Sequence, residues 1–104
     1  MTLEQFDALT EQLHKERKLI IQAKRPEYTE GNADVLANFK LVARELNITP
    51  IQVWYVYFRK HVASISQFAA RPNMQLSEPP KSRICDAINY LELLFALIEE
   101  NENL

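Results

Sequence analysis

Asp86 and Asn89 lie three residues apart in the segment 83–99, Arg-Ile-Cys-Asp-Ala-Ile-Asn-Tyr-Leu-Glu-Leu-Leu-Phe-Ala-Leu-Ile-Glu, which is otherwise apolar almost all the way round. On a helix that spacing puts the carboxylate and the amide on one face. Polar groups in a helix buried on most sides need partners. The pair is therefore either a core pair that fixes register or part of a ligand or metal site. Tyr90 follows directly and adds a hydroxyl from the same region. The cationic candidates elsewhere are Arg25 and the run Arg59-Lys60-His61. A lysine beside a histidine on an aromatic-rich helix can grip a phosphate, while Trp54, Tyr55, Tyr57 or Phe58 stacks on a base. Aromatics at that spacing also serve a plain core, and His61 on their stripe is commonly a satisfied core histidine.

Arg25-Pro26-Glu27-Tyr28 is the third polar piece, where a proline beside an arginine suits a rigid guanidinium clamp. Asp34 and Asn38, four apart, supply a further polar face, although Asp34 also fits a first-turn carboxylate answering the helix dipole. Most enzyme motifs are absent. The chain has no Gly-x-Ser-x-Gly elbow and no Cys/His pairing at zinc spacing, and His14 lies in a charged stretch. A single glycine, Gly31, excludes the glycine-rich loops that cradle phosphate. A phosphate would have to be held by side chains or helix N-termini. Metal-assisted hydrolysis would rest on a sparse Mg²⁺ set of Glu27, Asp34 and Asp86.

The elements that must position these groups read as helices. At 104 residues, with 47% apolar and 25% charged residues, the chain fits one globular domain, 1–104. Net charge is −2, with no Lys/Arg-rich block, which argues against a general nucleic-acid coat. One cysteine, Cys85, excludes an internal disulfide and reads as a small core residue in a reducing cytosol. The opening residues lack the pattern of a signal peptide, and no apolar run reaches the ~20 residues of a membrane span. The expectation is a cytoplasmic protein without a membrane partner.

Thr2 and Gln5 have capping-box spacing, and Leu3, Phe6, Leu9, Leu13, Ile20 and Ala23 recur at helical intervals, predicting a helix over 3–24 that Pro26 stops. Residues 25–32 then form a loop. A second helix over 33–46 buries Val35, Leu36, Phe39, Val42, Ala43 and Leu46. Thr49-Pro50-Ile51-Gln52 is a helix start with Thr as N-cap and Pro at N1, which outweighs the strand-like residues Ile51 to Phe58. The helix over 50–70 carries Trp54, Tyr57, Phe58, His61, Ile65 and Phe68 on one stripe. After the proline-rich connector 71–80, Ser77 caps a helix over 78–100 with Glu78 at its positive end. The sum is an all-α, four-helix bundle-like domain. Helix three carries Val53, Tyr55, Val56 and Val62 beyond its main face, and helix four carries Leu93, Leu94 and Leu97 around its circumference. Two helices apolar on nearly all sides predict self-association, a homo-oligomer.

The order Arg25-x-Glu27-Tyr28, Asn38-Phe39-Lys40, Ile48-Thr49-Pro50-x-Gln52-Val53, Lys60-His61 and Arg83-Ile84-x-Asp86-x-x-Asn89-Tyr90-Leu91 resembles small phage and prophage helical proteins. That family is a nucleotide-modification-associated domain, formerly a domain of unknown function, and the resemblance covers about residues 22–99. It implies a phage context, a host cytoplasm and a nucleotide-related role. A more distant similarity is to the all-α nucleotide pyrophosphohydrolases, which hold Mg²⁺ with Glu-x-x-Glu and Glu-x-x-Asp motifs. Here the matching pattern is Asp86-x-x-Asn89, an amide where a carboxylate is wanted, which argues against hydrolysis.

The expectation is a protein that binds a phosphorylated nucleotide or nucleotide-derived signal without turning it over, with no catalytic residue and no cofactor. In the implied phage context it would sequester a host immune second messenger. Arg25, Lys60 and His61 would contact phosphate. Asp86 and Asn89 would orient those donors or read base and ribose, and Tyr28 or Tyr90 would pack on the ligand. Glu27 and Asn38 complete the candidate set. The rival readings are a Mg²⁺-dependent nucleotide pyrophosphohydrolase and a non-catalytic protein-interaction module.

Overall fold

The computed structural model describes the backbone of residues 1–29, 34–74 and 78–100 and the side chains of 1–23, 34–74 and 78–100. Four helices follow in order: α1 Leu3–Thr29, α2 Ala37–Leu46, α3 Pro50–Ala70 and α4 Pro80–Glu100. No strand occurs among the described residues, so the all-α class holds. The chain divides into two compact units, Met1–Val35 with α1 and Leu36–Leu104 with α2, α3 and α4.

In the first unit, Thr2 caps α1 as its spacing predicts. The Thr2 hydroxyl accepts from the Gln5 backbone N–H at 3.1 Å, and the Gln5 amide oxygen accepts from the Thr2 N–H at 2.8 Å. The expected stop at Pro26 does not occur, and α1 runs on to Thr29. A proline withholds only its own N–H, the bond that would reach the carbonyl four residues back, and leaves the residues after it free to stay helical. The segment expected as a rigid loop around Arg25, Glu27 and Tyr28 is therefore helical backbone. Leu3, Phe6, Leu9 and Ile20 of the predicted apolar stripe are exposed.

In the second unit, α2 begins at Ala37 rather than 33, because Val35 and Leu36 form a turn and Leu36 offers no side-chain cap. Leu36 is instead held in the core at 2% exposure. Leu36, Phe39 and Ala43 form the inward row, whereas Val35 and Leu46, also expected inside, are exposed at the two ends. Asn47 ends α2 with φ 56° and ψ 46°, the left-handed conformation that Asn tolerates better than most residues.

The start of α3 is the predicted capping box. The Thr49 hydroxyl accepts from the Gln52 N–H at 3.1 Å, and the Gln52 side chain accepts from the Thr49 N–H at 2.9 Å, with Pro50 in the first turn. Local start chemistry thus prevails over the strand propensity of Ile51 to Phe58. Val53, expected outside the main face, is a core residue at 2% exposure. For α4, Pro80 needs no N–H partner at the first position, and the Pro79 carbonyl accepts from Ser82 and Arg83. The predicted cap Ser77 lies outside the described residues.

The core of this unit joins Leu36, Phe39, Ala43, Val53, Trp54 and Leu97, with Phe58, Tyr90, Leu93 and Leu94 against it. The Trp54 indole N–H donates to the Tyr90 carbonyl at 2.6 Å, and Trp54 stacks on Phe58 with centroids 4.8 Å apart. Phe39 meets Tyr90 edge-on at 6.2 Å. Lys40 of α2 pairs with Glu100 at the end of α4. Replacing Thr49 by Ala should lower stability by about 1–2 kcal/mol, because the Gln52 N–H loses its acceptor. Urea unfolding followed by circular dichroism measures this, and an unchanged midpoint would show that α3 does not depend on its cap.

Candidate functional site

His61 falls two turns after Trp54 on α3, so both side chains reach α4 along one stripe. There they meet the same residue. Trp54 takes the backbone carbonyl of Tyr90, and the His61 ring lies 4.5 Å from the Tyr90 ring, tilted by 42°. Asp86 precedes Tyr90 by four residues on α4, and its carboxylate acts on His61 more strongly than the charges of Lys60 and Glu78 do. Tyr90 thus touches the His61 ring, and the charges of Asp86 on α4 and Lys60 on α3 act on it.

Burial holds the His61 pKa below its ordinary 6.5. The Asp86 carboxylate pulls it back up, the Lys60 ammonium pushes it down, and Glu78 raises it slightly. At neutral pH the ring is therefore uncharged, and His61 offers a neutral donor and acceptor rather than the cation first assigned to it. Lys60 is exposed and supplies the positive charge of the group.

The other candidates distribute differently. Asn89 is half-buried on α4. Tyr90 has His61 on its ring and Phe39 at its edge, so little of that ring is left for a ligand. Asn38 is exposed in the first turn of α2, beside Phe39. Asp34 is half-buried ahead of α2 and belongs to the first unit. The side chains of Arg25, Glu27 and Tyr28 lie outside the described residues. Among the described residues no three His, Cys, Asp or Glu side chains stand close enough to share a metal ion, and Glu27 of the proposed Mg²⁺ set is not one of them. Cys85 is buried, as expected of a core residue.

Arg83 is the residue whose role sequence reasoning missed. Its side chain is buried at 7% exposure, and its guanidinium donates to the Ser64 carbonyl of α3. The signal was available: 83, 86, 90, 93 and 97 form one three-and-four-spaced row, so the inward face of α4 begins with a cation. Nearby, an open depression lined by Ser66, Gln67, Ala70, Arg71 and Met74 marks the C-terminal end of α3, and none of the His61 group lines it. No helix among the described residues is long and apolar enough to cross a membrane.

No family model matches this chain, and no similar curated protein or solved structure is found. The arrangement around His61 therefore stands on its own chemistry. It also makes a pH prediction. Because the folded-state pKa lies below the unfolded one, the unfolded chain takes up the proton first as pH falls. Stability should be level above about 6.5 and decline as pH drops through and below it. His61→Gln should flatten that part of the profile, and Asp86→Asn should lower the His61 pKa further in an NMR titration. A His61 resonance titrating above 6.5 would contradict the burial argument.

Proposed function

We propose that the α3–α4 face around His61 binds a phosphorylated nucleotide, or a signal derived from one, without turning it over. The observation that carries this reading is the His61–Tyr90 ring contact across α3 and α4, with the charges of Asp86 and Lys60 acting on the same imidazole. Lys60 would meet phosphate with an exposed ammonium, and the neutral His61 ring would add a directed hydrogen bond. Asp86 would accept from amino or hydroxyl groups of base and ribose. Tyr57 lies one turn before His61, is 37% exposed and meets Phe39 with ring centroids 6.1 Å apart, and its open side would pack on a base. The motif order of the chain resembles that of phage nucleotide-modification-associated domains, which supports a nucleotide over other phosphorylated ligands. Sequestering a host immune second messenger is the use that fits this setting.

Turnover is disfavoured because Asp86-x-x-Asn89 sets an amide where a metal-binding carboxylate would be needed. Calorimetry with linear and cyclic nucleotides, with and without Mg²⁺, tests the proposal. Binding should fall at least tenfold in Lys60→Met, weaken with salt, and return intact nucleotide after denaturation. Product that disappears in Asp86→Ala would instead establish a pyrophosphohydrolase. No binding and no product across the panel would leave the interaction-module reading.

A further inference from the structure

We draw no further inference here: the strongest candidate, the exposed apolar row of Ile84, Leu91, Phe95 and Ile98 on the outer face of α4, carries none because nothing in the structure shows what covers it.

Discussion

The hydrogen bond from the Trp54 indole to the Tyr90 carbonyl ties a side chain of α3 to the backbone of α4, and much of the Leu36–Leu104 unit is arranged around it. A buried indole N–H without an acceptor is costly, so α4 cannot slide along α3 by a turn without leaving this donor stranded. A helical carbonyl has a second lone pair to offer, so the contact need not break the helix it touches. With that register held, Phe39 of α2 reaches the edge of Tyr90, and Arg83 lies where it can donate to the Ser64 carbonyl. The same register carries His61 to the Tyr90 ring and Asp86 into its electrostatic range. The packing constraint and the proposed binding group are thus two uses of one helix pair.

Burial and charge act against each other on the His61 ring. Burial favours the neutral form, and the Asp86 carboxylate only partly restores the charged one. A phosphate arriving beside Lys60 would bring negative charge of the same sign as Asp86 and would itself favour protonation of the ring. Binding at such a site would be linked to proton uptake.

Helix ends with side-chain chemistry were legible in the residues alone. Thr2 with Gln5, and Thr49 with Gln52, bond in the pattern their spacing predicts, because a capping box is a local matter. Pro26 misled because proline is decisive only for its own N–H. Leu36 could not be placed because it has no capping group, and its position follows from core contacts distant in sequence. Lys60, His61, Asp86 and Tyr90 were selected by residue type, and their meeting depends on the register between α3 and α4. That register is set by Trp54, whose role as a donor to a carbonyl of another helix leaves no periodic trace. Arg83 was hidden for the related reason that a cation on an inward row looks like an ordinary helix charge until its acceptor, a backbone carbonyl, is seen.

Trp54 is the only tryptophan in the chain. It is buried, stacked on Phe58 and hydrogen-bonded across the α3–α4 seam. The tryptophan fluorescence of the protein consequently comes from one indole, in the Leu36–Leu104 unit. Its emission reports the separation of α3 from α4, the same helix pair that carries His61. The molecule holds a native optical gauge of that contact, one that needs no label.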